Sequence, residues 1–196
     1  MSKKTIAAFD FDGTLIRGDS FLRFIVFSRG WARFVLGCLC CSPVLAAYLL
    51  GLVSNHRAKE RVFSFFFKGM DHDTFARLGR AFSKVVGKQA NPETLHVLKA
   101  HQKAGHQTCV ISASIEEWVA PWCREQGIDR ILCTGAETKD GKLTGRFSPP
   151  NCYGQEKVDR LLQAYPRRDS YFLEAYGDSK GDDPLLRFAD TPHRVG

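Results

Sequence analysis

The sequence predicts an α/β protein: a doubly wound parallel sheet with an inserted helical cap. Three observations carry this. Short apolar runs, TIAAF (5–9), QTCVIS (107–112), RILCTG (130–135) and YFLEAYGD (171–178), alternate with helical segments, the rhythm of a parallel sheet covered on both faces. Turn and cap residues punctuate the helices between them. Residues 17–88 break the rhythm, being helical in pattern and rich in Phe and Leu. The expected division is therefore a core of 1–16 and 89–196 and a cap of 17–88.

The first run, TIAAF, is near-continuously apolar, as a strand buried on both faces must be. After the cap, Asn91 is placed as an N-cap, Pro92 at the first helical position and Gly105 just past the helix end. QTCVIS follows as a strand. Ser114-Ile-Glu-Glu117 has the spacing of a capping box opening the next helix, which Gly127 closes. RILCTG is a third strand, and KDGKL (139–143) carries the Asp-Gly turn of a hairpin. A helix over 155–165 leads into the fourth strand, YFLEAYGD, and PLLRFAD forms a short helix after it.

The 196 residues, 44% of them hydrophobic, suffice for one domain with an insertion. The net charge of +7 favours anionic partners such as phosphates or acidic headgroups. Nucleic acid is not expected, because no basic run is interleaved with aromatics. Seven cysteines, an odd number without CxxC spacing, point to reduced thiols and a cytoplasmic setting. Cys38, Cys40 and Cys41 have apolar neighbours and no nearby His, and are read as small buried residues rather than metal ligands. Lys3 and Lys4 precede an apolar run that Asp10 soon cuts, so no secretory leader is expected.

Ligands of open α/β sheets bind beyond the carboxyl ends of the strands. There the sequence places Asp10 and Asp12 after the first strand, Ser112 after the second, and Asp178 with Asp182 after the fourth. Converging carboxylates repel unless a cation holds them, and a hard oxygen-liganded ion, Mg2+, suits that set. Each residue also has a structural role open to it: turn chemistry for the Asp pair, a helix cap for Asp182, a strand-end hydroxyl for Ser112, and a solvated helix face for Lys157.

FDFDGT (9–14), VIS (110–112), Lys157 in GQEKVDRL and GDSKGDD (177–183) resemble, in order and spacing, the four motifs of the haloacid dehalogenase-like phosphatases. The cap inserted after the first motif, and KLTG (142–145), resemble the phosphoserine phosphatase branch. The apolar cap and GDSKGDDPLLRFAD look closer still to a bacterial phosphatidylglycerophosphatase group within it. The resemblance implies that Asp10 is the nucleophile and Asp12 the acid and base. It also implies that Ser112 and Lys157 hold the phosphoryl oxygens. Asp10, the Asp12 carbonyl and Asp178 would then bind Mg2+, and Asp182 would steady its water shell. Asp19 stands where the branch has a glutamate that reads the serine amino group, so phosphoserine itself is put in doubt. Arg57 and Arg61, four apart, either clamp a second phosphate or decorate a solvated face.

From Phe34 to Asn55 the chain carries no charge, long enough to span a bilayer. A single crossing would separate Asp10 from Ser112, Lys157 and Asp178, so spanning is excluded if these meet at one site. The stretch is then either a helical hairpin broken near Ser42-Pro43 that dips into one leaflet at the cytoplasmic face, or a segment packed within the cap or against a second copy. Leu45 and Leu49, four apart, are placed on one face of it. The functional expectation is a Mg2+-dependent phosphomonoesterase acting on a phospholipid headgroup such as phosphatidylglycerol phosphate. The alternatives are a soluble small-metabolite phosphatase of the phosphoserine phosphatase type and, from another class, a catalytically quiet membrane-peripheral binding protein.

Overall fold

The computed structural model describes residues 3–196; the first two residues of the expected core segment lie outside them. Five parallel strands form one sheet in the order β3-β2-β1-β6-β7. They are β1 (Lys4–Phe9), β2 (Gln107–Ile115), β3 (Arg130–Thr134), β6 (Tyr171–Gly177) and β7 (Thr191–Arg194). Four of these were expected. The fifth, β7, was not among the expected strands; it is short, polar and contains Pro192. Proline is tolerated at a sheet edge, where one side of the strand has no ladder to complete.

The central strand shows why the sheet is doubly wound. Ala7 and Phe9 face one buried cluster, shared with Leu98 of α5 (Pro92–Lys103) and Trp118, Val119 and Trp122 of α6 (Glu116–Glu125). Ile6 and Ala8 face the other, shared with Val158 and Leu161 of α7 (Gln155–Ala164) and Leu185 of α8 (Asp183–Phe188). Period-two side-chain alternation on a strand with helices on both sides leaves no polar position until the strand ends. Asn91 caps α5, its side chain accepting from Glu93 N at 3.2 Å, and Gly105 and Gly127 take the left-handed φ expected past their helices.

Residues 17–88 hold α1 (Ser20–Arg29), α2 (Trp31–Leu49), α3 (Asn55–Phe67) and α4 (His72–Val86). Phe24, Phe63, Phe67, Phe75 and Phe82 gather around Trp118 from the core, with Phe24 stacked on the indole at 4.4 Å. The two crossings between helical unit and sheet run side by side: Arg17 N donates to Gln89 O and Asn91 N to Leu15 O. There we propose the boundary between core (1–16, 89–196) and cap (17–88). The Asp-Gly hairpin forms as expected from β4 (Ala136–Lys139) and β5 (Lys142–Phe147), with positive φ at Asp140 and Gly141. It packs on the helical unit, exchanging hydrogen bonds between Leu143 and residues 69–70.

The apolar stretch corrects one expectation and narrows another. It is not broken at Ser42-Pro43: α2 runs through Pro43, which removes the N–H that would bond Leu39 O, and the Ser42 hydroxyl donates to that carbonyl instead at 2.7 Å. Packing within the cap holds for one face only: Gly37 and Cys41 are buried and Phe34, Val44 and Leu45 pack against the buried cluster, while the other face is exposed. Leu39 is 67% exposed and Leu49 83%, while Leu45 turns inward to a cavity, so Leu45 and Leu49 do not act as one face. Cys40 is exposed and Cys38 half-buried, so only Cys41 of that trio is a buried residue; all seven cysteines are free thiols.

Candidate active site

A cavity of about 550 Å3 opens at the carboxyl ends of β1, β2 and β6, between sheet and cap. Asp10 and Asp12 follow β1, Ser112 stands near the end of β2, Lys157 is in the first turn of α7 and Asp178 follows β6; all five line the cavity. Asp182, just ahead of α8, is buried behind them. The sequence-predicted core residues thus meet at one place.

Lys157 Nζ lies 2.6 Å from Asp10 Oδ1 and 2.5 Å from Asp182 Oδ1, all three groups buried. Burial opposes a charged lysine, yet the two carboxylates more than offset it and raise its affinity for the proton. Burial pushes Asp10 up to about 7 against the pull of Lys157, with Asp182 adding like-charge repulsion. Asp182 goes the other way: burial is outweighed by Lys157 and by hydrogen bonds from Ser179, whose N and Oγ both donate to Oδ2. Gly13 is needed here, since a Cβ at its left-handed position would sit 2.0 Å from Asp178 Oδ2.

Oxygens of Asp10, Asp178 and Asp182 lie within 4.8 Å of one another, and the buried Asp178 Oδ1 has no hydrogen-bond partner. An all-oxygen donor set with an orphaned carboxylate oxygen fits Mg2+. Asp182 already spends both oxygens on Lys157 and Ser179, which suits an outer role better than direct ligation.

Asp12 is held apart from that cluster. Ser20 N donates to Oδ1 at 3.0 Å, the Ser20 hydroxyl to Oδ2 at 3.0 Å, and the Ser114 hydroxyl also to Oδ2. Burial and then Asp19 raise Asp12 to about 6, opposed by those hydroxyl bonds. The expected capping box is therefore corrected. Ile115, not Ser114, occupies the N-cap of α6, and Ser114 belongs to β2 with its hydroxyl turned to Asp12. Trp118 Nε1 donates to Ser20 Oγ at 3.0 Å and completes the arrangement.

Of the cap candidates, Asp19 lines the cavity but serves as N-cap of α1, accepting from Leu22 N at 2.8 Å. Arg57 and Arg61 do not reach the site: with Lys68 and Arg146 they line a separate cleft of about 260 Å3. Neither arginine lines the cavity that holds Asp10. A cap cation that does enter the cavity is Lys59, whose Nζ donates to Ala113 O at 2.8 Å and lies 5.0 Å from the centre of the Phe21 ring. Burial lowers its proton affinity, while Asp12, Asp19 and Asp10 hold it up. A signal for it existed. Lys59 lies two residues from each arginine, and so on the opposite face of α3, three before buried Val62.

The haloacid dehalogenase-like hydrolase family model matches residues 7–187. Protein CicA of Caulobacter vibrioides is 32% identical over 187 residues, covering 94% of this chain and 83% of its own. A histidinol-phosphatase of Neisseria meningitidis is 28% identical over 217 residues, covering 98% and 90%. In fold, the phosphoserine phosphatase of T. onnurineus superposes with a TM-score of 0.63 at 24% identity, covering 96% of this chain and 82% of that one. This chain gathers four aspartates and a lysine at the ends of a parallel sheet, with helices inserted after the first strand, and it belongs to the haloacid dehalogenase-like hydrolase family.

Proposed function

We propose that the chain hydrolyses phosphate monoesters through an aspartyl-phosphate, with Asp10 as nucleophile. The observation that carries this is the convergence of Asp10, Asp178 and Asp182 on Lys157, with a second carboxylate, Asp12, held separately beside the same cavity. In the first step an Asp10 oxygen bonds to phosphorus as the ester P–O bond breaks, and Asp12 gives its proton to the leaving oxygen. In the second, Asp12 takes a proton from water, the water oxygen bonds to phosphorus, and the Asp10–phosphorus bond breaks to release phosphate. Lys157 and the Ser112 hydroxyl hold the phosphoryl oxygens. Asp10, the Asp12 carbonyl and Asp178 would hold Mg2+, which would supply charge neutralisation at the phosphoryl group.

The substrate reading with the better support is a small phosphorylated metabolite. Relatives named for histidinol phosphate and phosphoserine cover most of the chain, and Lys59 offers a cation at the same cavity for a second anionic group. A second reading, a phospholipid headgroup such as phosphatidylglycerol phosphate, is favoured by α2: its inner face lines the cavity with Phe34 and Leu45, while its outer face leaves Leu36 and Leu39 exposed over residues 34–54. The test is a Mg2+-dependent phosphate-release panel setting phosphoserine, histidinol phosphate and sugar phosphates against micellar phosphatidylglycerol phosphate. Asp10→Asn should keep the fold and lose at least about 10^4-fold in turnover on every substrate. Retention of activity within a few fold would remove Asp10 as nucleophile.

A further inference from the structure

Away from the cavity, a second cluster of titratable side chains forms. His101 lies near the end of α5, His106 on the turn into β2, Glu174 in β6 and His193 in β7. His101 is buried and the other three are partly exposed. Nδ1 of His101 faces Nδ1 of His106 at 2.7 Å, and its Nε2 lies 2.9 Å from the Tyr176 hydroxyl. That hydroxyl donates to Glu174 Oε2 at 3.2 Å, and His193 Nε2 meets the same oxygen at 3.1 Å. One ligand atom from each of His101, His106 and Glu174 falls within 4.8 Å of the others.

We propose that His101, His106 and Glu174 form a second metal site, for a borderline divalent cation of the Zn2+ type, distinct from the oxygen cluster at Asp10. Two imidazole Nδ1 atoms facing each other can share only one proton, so one ring already presents a lone pair. A cation replacing that proton takes both. Two imidazoles and a carboxylate are the donors Zn2+ selects, with a fourth position open to water, whereas Mg2+ prefers oxygen throughout. The surroundings fit. Tyr176 contacts the far nitrogen of His101, and Tyr176 and His193 together hold Glu174, as outer partners orient metal ligands. Burial, with His106 and His193 adding to it and Glu174 opposing, lowers the proton affinity of His101 and keeps its ring neutral for ligation. The ion would tie the turn before β2 to β6, the two strands that flank β1 and its Asp10.

The experiment uses the full chain, stripped with chelator, then given excess Mg2+ and titrated with Zn2+ by calorimetry and with Co2+ by visible absorption. Wild type should take up one equivalent of Zn2+, show tetrahedral Co2+ bands and unfold at a higher temperature with Zn2+ present. His106→Ala should lose this binding, His193→Asn should weaken it about 10- to 100-fold, and Asp178→Asn should leave it intact. His106→Gln, which keeps a polar group on the turn, serves if the alanine variant does not fold. Zn2+ uptake unchanged in the His106 variants, absent from wild type, or lost only in Asp178→Asn would overturn the site.

Discussion

The strand-end site and the outer face of α2 are built on opposite terms. At the strand ends, buried Lys157 and Asp182 and half-buried Asp12 each have close polar partners, several from distant parts of the chain. On α2, Trp31, Leu36 and Leu39 are large apolar groups left in water, Trp31 68% exposed. The first region is over-determined and sets the chemistry. The second is under-determined and can only choose what the chemistry meets.

The comparison breaks most visibly if Asp12 is neutralised. Asp12→Asn keeps the hydrogen-bond geometry around Ser20 and Ser114 but cannot carry a proton, so turnover of an alkyl phosphate should fall about 10^2- to 10^4-fold. A nitrophenyl phosphate, whose leaving group needs no proton, should lose much less in a single-turnover measurement of the first step. Equal losses on both would place Asp12 outside proton transfer.

Lys59 sharpens the comparison, because it is a cap residue that enters the core's cavity. Lys59→Met should raise KM for substrates with a second anionic group by about 10- to 100-fold, the worth of one charge-assisted hydrogen bond, with kcat on a simple aryl phosphate little changed. Arg57→Ala and Arg61→Ala, in the separate cleft, should stay within about twofold on this scale. A KM effect from the arginines and none from Lys59 would reverse the assignment.

What could be read from sequence follows the same division. The strands, the caps at Asn91, Gly105 and Gly127, the Asp-Gly turn and the meeting of Asp10, Lys157, Asp178 and Asp182 were all legible, since each is a local pattern or an ordered set of strand ends. Ser114 was not, because a strand-end serine with Glu three residues on looks like a helix cap until Asp12, 102 positions earlier, is seen to take its hydroxyl. Pro43 misled, and the strand holding Pro192 went unassigned, for reasons that share one root. A proline removes one N–H, and whether that ends an element depends on a replacement donor, Ser42, or on a sheet edge, neither of which is local.

The outer face of α2 carries the next prediction. Leu36→Glu with Leu39→Glu places two charges where the structure has exposed leucines. If that face meets a lipid surface, activity on micellar phosphatidylglycerol phosphate should fall about tenfold, matching roughly 1.4 kcal/mol of lost apolar burial. Hydrolysis of phosphoserine or an aryl phosphate should hold. No loss on micelles would leave the small-metabolite reading alone.

The smallest effect lies away from both regions and concerns stability against pH. His101 is buried beside Tyr176, faces His106 and His193 as like charges when protonated and Glu174 as an opposite one, and its folded pKa is lowered from 6.5, chiefly by burial. The unfolded chain then binds more protons at this ring than the folded one just below pH 6.5, so stability rises with pH there. His101 thus contributes fully above the unfolded value, and its contribution is lost as pH falls through 6.5 toward the lower folded value. With chelator present to keep metal off the ring, the thermal midpoint should decline from pH 7 to pH 5. In His101→Gln, which keeps a polar group beside Tyr176 but cannot titrate, the decline should be shallower. Parallel pH profiles in wild type and variant would assign the acid sensitivity to other groups and leave His101 as packing alone.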